Sequence, residues 1–304
     1  GHGFVGQRLH QRQAVLAGAH AGPAVDAGDF IEIGLGAQRV IKVDVDRNGA
    51  MIPAAFADAI ARASGPIIVI AQAGQINTGA FDPFVAIAQA VGAKGGWLHI
   101  DGAFGLWARA TKTHRHLGEG LELADSWAVD GHKWLQTPYD CGYAILRHRE
   151  AHIRSMQIAA SYLPGASDAA HNPSDYAPEL SRRARGFATW ALIRHFGRKR
   201  IAEMITRHCA CARRFAERLA ADAGVEILND VALNQVAVRF GNGEQTKAVI
   251  ARIQAGGVTF VGGAQWRDHW IMRISVSSET TTEADVDRSV EAMLEAWRVV
   301  RGRN

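Results

Sequence analysis

A chain of 304 residues, 48% hydrophobic and 21% charged, has material for a sizeable core, most simply one large domain with a smaller one beside it. Its net charge of +4 comes from dispersed basic groups, with Arg182, Arg183 and Arg185 as the densest cluster, so neither a nucleic acid nor a membrane surface is expected as partner. Three cysteines, Cys141, Cys209 and Cys211, make no disulfide framework and point to reducing, cytoplasmic surroundings, and no apolar run approaches the length of a membrane span. The chain opens at Gly1 without a methionine, so its true start is expected upstream.

Residues 1–36 are rich in Gly and Ala and show no clear period. Strands are predicted over 40–45 and 66–71. The second is a continuous apolar, β-branched run of the kind buried on both faces of a parallel sheet. Between them residues 52–63 have helical spacing, with Pro53 near the first turn, where a missing N–H costs little. A helix over 84–93 follows, with Asp82-Pro83 as its start signal, then short strands over 97–100, 127–129 and 142–146. This alternation implies α/β layers around a mainly parallel sheet.

The texture changes near residue 160. Residues 162–179 hold three prolines and little apolar periodicity, and a loop of that length inside a compact domain is usually functional or disordered. Helical sequence runs from 186 to 221 with a break near Gly197, and Phe187, Trp190, Ala191 and Ile193 make an apolar face. Strands over 225–228, 235–240, 258–260 and 271–276, a helix over 246–254 and a last helix capped by Thr281 or Thr282 complete a smaller α+β part. The expected division is a large part over 1–160, a mobile loop and linker over 161–185, and a small C-terminal part over 186–304.

In an open parallel sheet, ligands bind beyond the carboxyl ends of the strands. Three loops leave such ends: residues 72–79, Asp101-Gly102-Ala103-Phe104-Gly105, and Asp130-Gly131-His132-Lys133. Neighbouring strands would bring all three to one edge. Burial disfavours a charged amine, and a neutral amine attacks carbonyls, so Lys133 is a candidate nucleophile. Asp101 could hold a proton on a heterocyclic nitrogen, a pairing that suits pyridoxal phosphate. A structural Lys133–Asp101 ion pair explains the same two residues. Trp190, Trp266 and Trp270 read as packing residues, and Gly262-Gly263 as a turn. His114 and His116 lack a third ligand for a metal. Arg182, Arg183 and Arg185 could contact a phosphate or a carboxylate, or be a solvated helix start.

The stretch Trp97-Leu98-His99-Ile100-Asp101-Gly102-Ala103-Phe104-Gly105, with His132-Lys133-Trp134 after it, resembles the group II pyridoxal-phosphate-dependent decarboxylases, the family of the aromatic amino acid and glutamate decarboxylases. Its members show a W-L-H-V-D-A-A-Y-like strand end and an H-K-W or H-K-M lysine motif. Residues 71–83 are similar to the family's A-T-A-G-T-T-x-x-G-A-x-D-P segment. Asp101 precedes Lys133 by 32 residues, and Tyr162 follows it by 29, both as in the family.

The resemblance implies a fold-type I pyridoxal-phosphate-dependent transferase architecture, a homodimer, and decarboxylation of an L-amino acid to an amine and carbon dioxide. It makes Lys133 the lysine that carries pyridoxal 5'-phosphate and Asp101 the partner of the pyridine nitrogen. Ala103 is then the residue under one ring face, and His132 a neighbour of the phosphate or the reacting nitrogen. His20 matches the residue stacked on the other face, although an ungapped count from Gly34-Leu35-Gly36 points to Pro23. Tyr162, on the mobile loop, matches the tyrosine that protonates the substrate carbon. Asp130 stands where many relatives have Asn. Another lyase or transaminase of the same fold, and a non-catalytic fragment of such an enzyme, are the alternatives.

Overall fold

The computed structural model describes residues 14–18, 39–156, 173–179 and 181–302. His20 and Tyr162 lie outside them. A six-stranded sheet has the order β2-β1-β3-β4-β5-β6, with β1 Ala14–Gly18, β2 Val40–Val43, β3 Ile67–Gln72, β4 Trp97–Asp101, β5 Ser126–Asp130 and β6 Gly142–Leu146. All pairings are parallel except β5 with β6. β1 falls in the Gly- and Ala-rich stretch where no period was legible.

Ile67, Val69 and Ala71 bury one face of β3 in a core with Phe56 and Ile60 of α1 (Pro53–Arg62) and Phe84 and Ile87 of α2 (Phe84–Ala93). Ile68 and Ile70, on the opposite face, are half-buried, so the expected burial on both faces is complete on one. α2 begins where Asp82-Pro83 signalled, but Asp82 does not cap it. Its buried carboxylate accepts the N–H of Met51 at 2.7 Å and that of Gln72 at 2.6 Å instead, fastening the end of β3. Burial pushes Asp82 up to about 6, against the lowering effect of these two hydrogen bonds.

The short helix α3 spans Arg149–Met156, and a long helix, α4, spans Arg185–Ala220. Gly197, at φ 65 and ψ 168, breaks α4 as expected. Before the break Phe187 and Trp190 are 74% and 61% exposed, so the expected packing of Trp190 is not found among the described residues. After it, one turn after another enters two cores. Ile201, Met204, Ile205 and Cys209 pack with Phe104, Trp134 and Leu135, while Cys211, Ala212, Phe215 and Leu219 join the core of a second sheet.

That sheet is antiparallel and four-stranded, ordered β7-β8-β10-β9: β7 Val225–Ile227, β8 Gln235–Phe240, β9 Gly262–Trp266 and β10 His269–Ser275. α5 (Gly243–Gly256) and α6 (Glu283–Arg301) cover it, and Thr282 caps α6 in a capping box with Asp285. Residues 258–260 do not form the expected strand. Gly257 ends α5 in a left-handed conformation, and the chain leaves the helix with Val258 and Phe260 exposed. The strand starts at Gly262-Gly263, which are therefore no turn. A Cβ on Gly263 would lie 2.9 Å from the Trp270 indole nitrogen, so a glycine there lets the ring lie flat on the strand.

Polar contacts join the two parts. Nη2 of Arg47 reaches both carboxylate oxygens of Asp230 at 2.8 Å, and the Asn48 amide donates to Asp230 Oδ2 at 2.8 Å. Nδ2 of Asn229 donates to the Thr78 carbonyl at 2.8 Å.

Candidate active site

β3, β4 and β5 are adjacent and parallel, so the three loops at their carboxyl ends do share one edge. Backbone bonds fasten them together. Ala73 N–H donates to Asp101 O at 2.7 Å, Gly102 N–H to Ala128 O at 2.9 Å, and Asp130 N–H to Ala103 O at 2.8 Å. The first two loops touch glycine on glycine. A Cβ on Gly105 would sit 2.1 Å from the Ala73 carbonyl oxygen and 2.8 Å from Gly74 Cα.

Beyond β5 the chain makes a compact turn, in which Gly131 N–H donates to Cys141 O at 2.9 Å and Thr137 N–H to Gly131 O at 3.1 Å. Trp134 and Leu135 are fully buried in the core beneath, and the Trp134 indole N–H donates to Nδ1 of His208 on α4 at 2.8 Å. Burial, with the nearby Arg207 charge, pulls His208 down to about 4, so it stays neutral and able to accept. Anchored by Trp134, the turn leaves Lys133 and His132 half-buried on its open side.

Lys133 Nζ lies 3.0 Å from Asp130 Oδ2, and His132 Nε2 lies 3.6 Å from the same oxygen. The carboxylate paired with Lys133 is thus Asp130; Asp101 makes no ion pair with it. Asp101 accepts the Ala103 N–H at 3.1 Å through Oδ1, and its strand neighbour Gln72 has a buried Oε1 with no hydrogen-bond partner among the described residues. His132 Nδ1 lies 2.8 Å from the Cys141 carbonyl oxygen and 3.2 Å from the Cys141 backbone nitrogen, so the backbone of Cys141 fixes the ring. The Tyr139 ring lies against His132, centroids 4.3 Å apart.

A cavity of about 300 Å³ opens here, lined among others by Ile76, Phe104, His132, Lys133, Asn234 and Arg273. Asp101 and Ala103 stand outside this lining, at the neighbouring strand end. Arg273, from β10, escaped the reading of the sequence. Burial lowers its pKa, its Nε has no hydrogen-bond partner among the described residues, and no carboxylate there pairs with it. Oδ1 of Asn234 is likewise unpartnered. A signal for Arg273 did exist: it is one charge inside the apolar run Ile271-Met272-Arg273-Ile274.

The arginine cluster binds the chain itself. Arg183 donates to the carbonyls of Tyr139 at 2.8 Å and Asp140 at 2.9 Å, and Arg185 Nε donates to Asp140 Oδ1 at 3.1 Å. The two side chains hold the 138–140 turn that carries Tyr139 over His132. Of the tryptophans, Trp266 is buried and Trp270 packs on the core of the second sheet.

The donor set fits pyridoxal phosphate: an amine in the cavity, a carboxylate at the next strand end, and an arginine in the same lining whose buried Nε has no hydrogen-bond partner among the described residues. A family model described as the pyridoxal-dependent decarboxylase conserved domain matches residues 5–241. The 4-hydroxyphenylacetaldehyde synthase of Rhodiola rosea is 28% identical over 244 residues, covering 78% of this chain and 48% of that protein. An aromatic-L-amino-acid decarboxylase of Drosophila lebanonensis is 28% identical over 232 residues, 74% of this chain and 56% of its own length. Among solved structures, Oryza sativa TDC with PLP and tryptamine superposes with a TM-score of 0.87 at 22% identity, covering 95% of this chain and 63% of that one. Mouse CSAD gives 0.85 at 24% identity, with 94% and 64% covered. The fold is therefore shared with both, and the chain spans about half the length of the curated relatives it matches. With the family model matched across most of its length and the lysine, aspartate and glycine loops on one sheet edge, the chain belongs to the pyridoxal-dependent decarboxylase family.

Proposed function

We propose that the protein binds pyridoxal 5'-phosphate through Lys133 and decarboxylates an L-amino acid to an amine. The observation that carries this reading is that Lys133 and Arg273, which has no ion-pair partner among the described residues, line one cavity beyond the strand ends. When bound, the cofactor supplies a sink for the electron pair left as the bond to the carboxylate breaks. The chain's own residues do the rest. Lys133 holds the group covalently, and Asp101 keeps a proton on its ring nitrogen. Ala103 packs against one ring face. His132 stands beside Lys133, its ring fixed at Nδ1 by the backbone of Cys141. Arg273 receives the substrate's carboxylate, which gives its guanidinium the partner it lacks.

His20 on the second ring face and Tyr162 as donor of the proton to the substrate carbon belong to the same reading by family resemblance. So does a homodimer, while the change in sequence texture is what supports a division at residues 160 and 185. A second reading, aldehyde as product in place of amine, has the support of the 28% identity to 4-hydroxyphenylacetaldehyde synthase.

Borohydride reduction of the cofactor-supplied chain, followed by peptide mapping, tests the main reading, and a pyridoxyl adduct on Lys133 is expected. Its absence sinks the proposal. Amine, aldehyde and keto acid, measured with carbon dioxide over a panel of L-amino acids, separate decarboxylation from its rivals. Arg273→Gln is expected to lower kcat/KM about tenfold to a hundredfold, the worth of a charged hydrogen bond.

A further inference from the structure

Gln136 ends the turn that carries Lys133, and its backbone sits at φ 64. That left-handed conformation brings Cβ against the following carbonyl, so Gly or Asn ordinarily fills it. A residue of another kind is held there by its surroundings. Here the side chain is what is held. Nε2 of Gln136 donates to the Lys133 carbonyl at 2.9 Å and to the Ser277 carbonyl at 2.7 Å, with the Trp134 carbonyl at 3.4 Å. Its Oε1 accepts the Glu279 N–H at 3.4 Å.

One carboxamide therefore spans from the backbone of the cavity's lysine to the segment that follows β10. That segment is firmly seated. Arg200 pairs with the Glu279 carboxylate at 2.9 Å, and Arg207 donates to the carbonyls of Glu279 and Thr281. Val276 bonds to Asn234 through both its N–H and its carbonyl. Arg273 stands on β10 itself, four residues before Ser277. We infer that Gln136 is a positioning residue that sets Lys133 against Arg273 across the two sheets, acting through the Lys133 and Ser277 carbonyls. That role rests on the reading of Lys133 and Arg273 proposed above, whereas the carboxamide bridge itself does not.

Two variants separate positioning from plain stability. Gln136→Gly keeps the left-handed backbone and removes the carboxamide. Gln136→Glu keeps the length but sets oxygens against the two carbonyls. Hydrogen exchange at residues 277–279 is measured in cofactor-free protein, and kcat and KM in cofactor-supplied protein. In Gln136→Gly the Glu279 amide is expected to exchange about tenfold faster, and in both variants kcat/KM to fall about tenfold with a raised KM, as for one lost hydrogen bond. The thermal midpoint of Gln136→Gly is expected to change little, because relief of the left-handed backbone offsets the lost hydrogen bonds. A lowered midpoint with unchanged KM overturns the positioning role. Unchanged exchange in Gln136→Gly overturns the bridge, even where Lys133 takes the pyridoxyl label. Faster exchange in a chain whose Lys133 takes no label leaves the bridge standing and removes the cofactor reading.

Discussion

Asp82 and His208 are both buried and shifted in opposite directions, to about 6 and about 4. The folded chain binds a proton at Asp82 more tightly than the unfolded chain does. Its stabilising contribution is full below the ordinary 3.8 and is lost as pH rises through 6. His208 works the other way: its contribution is full above 6.5 and is lost as pH falls toward 4. Between pH 4 and 6 the two slopes, each about 1.4 kcal/mol per pH unit, oppose each other. Asp82→Asn should therefore leave a stability that climbs with pH across that window, and His208→Gln one that declines. Urea midpoints at pH 4, 5 and 6 check both signs, and equal slopes in the two variants would refute the assignment. The placement of Lys133 and Asp101 at neighbouring strand ends could be read from sequence because it is fixed by strand and loop lengths. Arg273 and Gln136 could not. Their meaning lies in what they lack or reach in space: a carboxylate missing among the described residues for one, a carbonyl in the segment after β10 for the other.

Packing of the loop after β3 on the loop after β4 depends on the absence of side chains at two glycines. Gly105→Ala drives a methyl into the Ala73 carbonyl, a backbone atom that cannot swing aside. A loss of about 3 kcal/mol is expected, as for an overpacked core, read as a lower denaturant midpoint. Since Ala73 N–H also holds Asp101, cofactor retention should weaken in the same variant. The parallel order of β3, β4 and β5 was legible in their apolar runs, because strands inside a sheet advertise burial. β1 was not, because short Ala and Gly side chains carry little hydrophobic period. Residues 258–260 misled for the converse reason: β-branched and aromatic residues imitate a strand wherever they occur, and here they follow the left-handed exit from α5. The Asp82-Pro83 pair marked the right boundary through a different bond, since helix caps and strand-end clasps use the same acceptor chemistry.

At the scale of the whole molecule, each sheet has a core of its own, and the visible bonds between the two parts are polar and partly exposed, such as Arg47 with Asp230. Exposed pairs of that kind contribute about 1 kcal/mol or less and fade in salt. On those contacts alone the two parts should melt apart in sequence. α4 argues otherwise. After Gly197 its consecutive turns belong first to the hydrophobic floor under Lys133 and then to the core of the second sheet. Unwinding that stretch as a unit strips apolar cover from both. The expected result is one calorimetric transition whose van't Hoff and calorimetric enthalpies agree, while two resolved peaks would show the halves to be independent. The floor of the candidate site then opens only when the protein as a whole unfolds, so Lys133 keeps its setting up to the melting point and loses it all at once.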